Sequence, residues 1–211
     1  MKMSSGAQPL RDDPVPMLVI ISGPSGVGKD TIIAALQKRE HQPPYHYVVT
    51  CTTRAPRPGE VDGVSYHFMA RAQFMALRDA GELLEANEVH GNWYGTPKAG
   101  VREALHNGQH AILKIDVQGA QVVKDAVDSA LLIFVVPPSL ETLFKHLQAR
   151  KTESADELEL RQRNAALELS KADDYDHVVV NVEGNVDRTA EEIDEIICHE
   201  ERLASRPAVT V

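Results

Sequence analysis

One stretch restricts the fold more than any other: Gly23-Pro24-Ser25-Gly26-Val27-Gly28-Lys29-Asp30-Thr31 joins the apolar run Met17-Leu18-Val19-Ile20-Ile21 to the helix-forming run Ile32-Ile33-Ala34-Ala35-Leu36. A buried strand that passes through such a loop into a helix belongs to an α/β sheet. The three glycines let the backbone curl around phosphate oxygens with its N–H groups inward, the helix adds its positive end, and Lys29 reaches the outer phosphates. Gly23, Pro24, Ser25, Gly26, Val27, Gly28, Lys29, Asp30 and Thr31 are therefore expected to hold a nucleoside triphosphate. The residue after the lysine in such loops carries a hydroxyl for Mg²⁺. Here it is Asp30, a hard oxygen donor expected to hold the metal directly or through water.

The rest of the chain supports this class. Apolar runs at 17–22, 47–51, 111–115, 131–136 and 177–181 read as buried strands. Amphipathic segments at 29–39, 97–107, 117–126, 139–150, 154–170 and 186–202 read as helices, the fifth opening on a Ser154-x-x-Glu157 capping box. That alternation predicts a parallel sheet. Between the second and third strands the texture changes to short alternating pieces and Pro-Gly or Asp-Gly turns, with one short helix near 71–79. It predicts a small β-rich insertion overhanging the edge where the phosphate loop opens, which is where open α/β sheets bind ligands. The expected division is a leader at 1–16 without order, a core at 17–53, 97–139 and 171–203, an insertion at 54–96, a helical lid at 140–170 and a flexible tail at 204–211.

The net charge of −9 argues against a general affinity for nucleic acid or anionic membrane, so positive charge for an anionic substrate must be concentrated at particular arginines. Cys51 and Cys198 are too far apart to form a metal-type pair, and the histidines show no zinc-like spacing. No apolar run approaches the roughly 18 residues that cross a bilayer, and the N-terminus has no signal-like apolar centre. A cytoplasmic protein with free thiols is expected, monomeric or a homodimer.

Thr50-Cys51-Thr52-Thr53-Arg54-Ala55-Pro56-Arg57-Pro58-Gly59-Glu60-Val61-Asp62-Gly63-Val64-Ser65-Tyr66-His67-Phe68, then Glu85 and Gly91-Asn92-Trp93-Tyr94-Gly95-Thr96, closely resemble the GMP-binding insertion of guanylate kinases. The likeness continues through Ile115-Asp116-Val117-Gln118-Gly119-Ala120, Pro137-Pro138-Ser139 and Tyr175-Asp176-His177-Val178-Val179-Val180-Asn181. It implies a P-loop nucleoside monophosphate kinase core with a five-stranded parallel sheet, ATP and Mg²⁺ as cofactors, and GMP, with dGMP, as acceptor. Arg54 and Arg57 offer forked donors suited to a dianionic phosphate, and the resemblance adds Tyr66 and Tyr94. Guanine presents adjacent N1–H and N2–H donors that one carboxylate can accept together, which makes Glu85 the expected base reader. Adenine lacks the pair, and an unpaired buried carboxylate discriminates by ~10⁴-fold or more. Thr50, Thr96 and Asp116 match the remaining guanine contacts, and Asn181 a nucleotide-binding position.

The reaction so implied is MgATP + GMP giving ADP + GDP. Its nucleophile is an ionised phosphate oxygen, so no general base is needed; positioning and countercharge are. Lys29 supplies part, and Arg150 and Arg161, on family arginine positions of the lid, supply the rest. Three residues depart from the family pattern: Asp30; Lys114, where a carboxylate is common; and His146, where a lid arginine often stands, so that activity is expected to be lower or pH-dependent. Two rival readings are a ribose 1,5-bisphosphate phosphokinase, which would not need the arginine loop and Glu85, and a noncatalytic guanylate-kinase-like interaction module, which would not need Lys29, Arg150 and Arg161.

Overall fold

The computed structural model describes residues 9–10, 13–89, 91–148 and 155–211, with the side chains of 155–161 excepted. In chain order the elements are β1 (Leu18–Ser22), α1 (Lys29–Leu36), β2 (Tyr45–Tyr47), β3 (Cys51–Thr52), β4 (His67–Phe68), α2 (Arg71–Asp79), β5 (Leu83–Val89), β6 (Asn92–Pro97) and α3 (Lys98–His106). They continue as β7 (His110–Lys114), α4 (Val117–Ala126), β8 (Leu131–Val136), α5 (Leu140–Gln148), α6 (Ala155–Leu169), β9 (His177–Val180) and α7 (Val186–Glu200).

Five strands form one parallel sheet in the order β2-β7-β1-β8-β9, with β1 at its centre. Residues 18–22 of β1 are all buried because helices cover both faces of the sheet. Successive side chains point to opposite faces. Val19 and Ile21 therefore pack with Ile32 and Leu36 of α1 and Ile193 and Ile197 of α7. Leu18 and Ile20 pack with Val101 and Ala104 of α3 and Ala120 and Val123 of α4. The chain leaves β1 toward β2 on one side and returns from β7 to β8 on the other, so the crevice at the carboxyl ends of β1 and β7 is the topological switch point.

A second sheet of four strands, β4-β3-β6-β5, forms the insertion. Its core of Cys51, Phe74 and Leu83 is separate from the two faces of the main sheet. The strand expected at 47–51 is two strands in different sheets. β2 ends at Tyr47, Val48 extends the ladder by one bond to Ile112 (3.1 Å), and Cys51 and Thr52 pair with Gly95 and Tyr94 of β6. An unbroken apolar run carries no mark of the crossing, so the smaller sheet starts ahead of residue 54.

The segments expected to lack order pack where they are described. Leu10 bridges Leu203, Val15 N–H donates to Glu201 O, Val209 and Val211 lie against the α3–α4 core, and Arg206 holds Glu200 and the Ser129 carbonyl. The histidines, scattered in sequence, do form a cluster. Each ring nitrogen of His41 faces a carboxylate oxygen, Asp194 at 3.0 Å and Glu201 at 3.2 Å, and Glu201 also accepts His110 Nε2 at 2.9 Å. The amide of Met17 donates to His110 Nδ1, so its proton sits on Nε2, the nitrogen that would otherwise ligate a metal. Cys198 lies 3.8 Å from His41. Hydrogen bonding accounts for this cluster as a tie between α7 and the link from α1 to β2.

Candidate active site

The phosphate loop leaves β1 in conformations that only glycine adopts easily. Gly23 has φ +148°, and a Cβ there would lie 2.3 Å from the Val135 carbonyl of β8; Gly28 starts α1 with φ +98°. Asn181, at the end of β9, braces the loop by donating from Nδ2 to Val27 O at 2.7 Å, and Thr189 of α7 donates to its Oδ1 at 3.3 Å. His146 of α5 contributes Nδ1 to Gly26 O at 3.3 Å. Asn181 and His146 line one hollow with Gly26, Gly28 and Thr31. Lys29 folds over the loop and donates to Gly23 O (2.5 Å) and Pro24 O (3.1 Å). Burial lowers its pKa to about 8 against the opposing pull of Glu168, Asp116 and Asp30. The Ser25 amide donates to Glu168 Oε2 of α6 at 3.1 Å.

Beside the loop, a cavity of about 240 Å³ is lined by Lys29, Asp30, Thr50, Tyr66, Glu85, Tyr94, Lys114 and Asp116 among others. Six expected substrate residues thus meet Lys29 in one place: Thr50, Tyr66, Glu85, Tyr94 and Asp116 on its wall, and Thr96 behind Glu85. Glu85 on β5 is 5% exposed. Its Oε1 accepts the Thr96 hydroxyl and its Oε2 the Asn87 amide, both at 2.8 Å. Burial, helped by Asp116, raises its pKa to about 7 although both hydrogen bonds favour the charged form. Asp116 caps α4 by accepting Gly119 N–H at 2.7 Å. Gly119 leaves the floor open, since a Cβ there would stand 3.2 Å from Glu85 Oε2 and 3.4 Å from Asp116 Oδ1.

The arginine loop is organised by a residue with no role in the expected site. Glu60 takes both terminal nitrogens of Arg54 at 2.6 Å and the Arg57 amide at 2.7 Å. The Arg54 bonds, the largest influence, pull the Glu60 carboxyl down to about 2 against a small burial penalty. Arg54 also lies over Tyr66 at 5.1 Å and Phe68 at 5.6 Å from the ring centroids, and its buried Nε has no partner among the described residues. Arg57 lines a neighbouring cavity with Gly23, Ser25, Lys29, Tyr94, Asp116 and Glu168, and the two cavities share Lys29, Val89, Tyr94 and Asp116. Asp30, at the mouth, is ion-paired with Lys114.

Arg150 and Ser154 of the lid lie outside the described residues; Arg161 falls within α6, at a position of which only the backbone is described. Cys51 packs rather than reacts: its thiol donates to Gly95 O at 3.2 Å, and burial pushes its pKa up to about 11. Three site residues escaped sequence reasoning. Asn87 carried a usable signal, standing two residues from Glu85 on the same strand face. Glu60 follows Arg57 by three residues across a Pro-Gly turn. Nothing local marks Glu168, more than 140 positions from the loop.

A family model described as guanylate kinase matches residues 16–200. The chain is 40% identical over 206 residues to "Guanylate kinase 2, chloroplastic/mitochondrial" of Oryza sativa subsp. japonica, covering 97% of this chain and 72% of that protein. It is 47% identical over 168 residues to the guanylate kinase of Gloeobacter violaceus, covering 80% and 81%. Among solved structures, the guanylate kinase of Anaplasma phagocytophilum superposes with a TM-score of 0.72 at 31% identity, covering 92% of this chain and 90% of that one.

Proposed function

The chain belongs to the guanylate kinase family and is a kinase that phosphorylates GMP with ATP, and we propose that the cavity beside the phosphate loop performs the transfer in purine nucleotide metabolism, in the cytoplasm. Glu85 carries the reading. It is a buried carboxylate fixed by Thr96 and Asn87, facing a cavity that Lys29 closes on the other side. In its ionised form it accepts guanine N1–H and N2–H together, with Thr50 and Asp116 completing the base contacts. Tyr66, Tyr94, Arg54 and Arg57 hold the GMP phosphate at the end nearer Lys29.

With the base fixed at Glu85 and the triphosphate on the loop, a GMP phosphate oxygen attacks the γ-phosphorus, the bond to the β,γ-bridging oxygen breaks, and ADP leaves. No proton need move, so the residues supply alignment and countercharge. Lys29 exchanges the Gly23 and Pro24 carbonyls for phosphate oxygens, and Arg150 and Arg161 add charge from the lid. The donor set fits Mg²⁺. Asp30 presents a carboxylate beside the triphosphate cradle, and it would hold the ion together with phosphate oxygens; the ion's chemistry is to neutralise the charge on those oxygens.

The test is a coupled ADP-release assay offering GMP, dGMP, AMP and ribose 1,5-bisphosphate as acceptors. Turnover is expected with GMP and dGMP. Turnover with the sugar bisphosphate but not GMP, or with no acceptor at all, contradicts the assignment.

A further inference from the structure

Lys114 is the last residue of β7 and sits in register with Ile21 of β1, so its side chain emerges at the sheet edge from which the phosphate loop springs. Its stem is covered, with 31% of the side chain exposed, and its ammonium is ion-paired with Asp30 Oδ1. Asp30, the first acidic residue of α1, is 82% exposed on its own side chain. The ammonium also lies 6.0 Å from the centroid of the Tyr66 ring. It thus stands between a residue of the triphosphate cradle and one of the proposed anchors of the acceptor phosphate, and it lines the same cavity as Lys29.

Two ammonium groups facing one small cavity oppose each other, and Lys114 is among the charges that depress Lys29. Such a pair is stable only when carboxylates or an anionic ligand surround it. Asp30, Asp116 and Glu85 are the acidic groups of that wall. Of these, Glu85 is committed to Thr96 and Asn87 and Asp116 caps α4, which leaves Asp30 as the group that orients Lys114. An exposed ion pair of this kind contributes too little to folding to explain a second lysine in the cavity as a stabilising device.

Resting on the assignment of GMP as acceptor, we propose that Lys114 is a further catalytic residue: its ammonium, aimed by Asp30, contacts the oxygens of the phosphoryl group as it passes from ATP to the GMP phosphate. No proton is transferred in the step. One P–O bond forms to the GMP phosphate, one breaks to the bridging oxygen, and the lysine stabilises charge that the Lys29 ammonium reaches only from the donor side. Beside the metal contact proposed for it above, Asp30 acts on Lys114 as a positioning residue, through Oδ1.

The experiment compares kcat and KM for ATP and for GMP in the full chain and in Lys114→Met, Lys114→Arg, Asp30→Asn and the Lys114→Met/Asp30→Asn double variant, with melting temperatures measured alongside. Lys114→Met should lower kcat by about 30-fold, with both KM values within about threefold and the melting temperature near the parent's. Lys114→Arg should recover most of the loss. At saturating Mg²⁺, where a weakened metal contact of Asp30 is made good by mass action, Asp30→Asn should cost less than Lys114→Met and should add nothing to it in the double variant. Unchanged kcat in Lys114→Met, an equal loss in the methionine and arginine variants, or multiplying effects in the double variant would overturn the proposal. Because the parent's turnover of GMP is measured in the same experiment, failure of this inference is distinguishable from failure of the GMP assignment.

Discussion

Glu85, the proposed base reader, ties selectivity to a cost in stability. Burial raises its pKa to about 7, so below that pH the cavity holds a neutral carboxyl that can no longer accept both guanine donors. A plot of kcat/KM for GMP against pH should fall on the acid side of about 7, and an acid limb displaced to about 4.5 would contradict the burial. The sign for stability follows from the same shift. A carboxyl whose folded pKa lies above its unfolded value binds its proton more tightly in the native state, so stability declines as pH rises from about 4.5 to 7. Glu85→Gln should therefore be more stable at pH 8, by on the order of 2 kcal/mol, while losing GMP turnover. Denaturant titration of both proteins at pH 4 and pH 8 checks it, since the gap should shrink at the lower pH. Gly119→Ala makes the complementary case: its Cβ would crowd Glu85 Oε2, so KM for GMP should rise at least tenfold with little change in melting temperature. At this scale the sequence was most legible where a residue is marked by its own chemistry, as with Glu85 and Lys29, which the structure brings to one cavity. It was least legible where a residue acts by holding another, as Glu60 holds Arg54 and Glu168 holds the Ser25 amide.

Elements were legible wherever hydrophobic period and packing agree. α2 and α4 occupy the residues their amphipathic pattern predicts, because one apolar face of each meets a sheet. β2 and β3 were not separable, because the mostly apolar run from Tyr47 to Cys51 passes from one sheet to the other with Val48 buried in the first and Cys51 in the second, and nothing in its composition marks the crossing. Placing α7 against the link between α1 and β2 likewise required contacts that no local pattern records. Asp194 of α7 receives Tyr45 at 2.6 Å, His41 at 3.0 Å and Arg39 at 3.2 Å. Asp194→Ala strips a partner from all three and should lower stability by about 2–4 kcal/mol, read as an earlier urea midpoint. Because the cluster lies away from the cavity, KM for GMP should stay near the parent's value. An unfolding free energy within about 0.5 kcal/mol of the parent's would show that the cluster is not the tie described.

For the whole molecule, the parallel sheet and its crevice place Lys29, Lys114 and Arg57 of a net-acidic chain on the walls of one pair of cavities, with Arg54 over the Tyr66 ring that lines the first. Among the described residues no helix is long and apolar enough to cross a membrane. The insertion carries Glu85 and Tyr94 on strands of its small sheet and Arg54, Arg57 and Tyr66 in the link from β3 to β4, so that the proposed acceptor site is built apart from the phosphate loop and brought to it across the switch point. The claim on which the rest depends is that the carboxylate of this insertion chooses the purine. The most direct measurement is the ratio of kcat/KM for GMP to that for AMP in the parent and in Glu85→Ala. The ratio should fall by at least about 10³-fold in the variant, mainly through loss of GMP turnover; a ratio that survives the substitution would place base recognition elsewhere in the molecule.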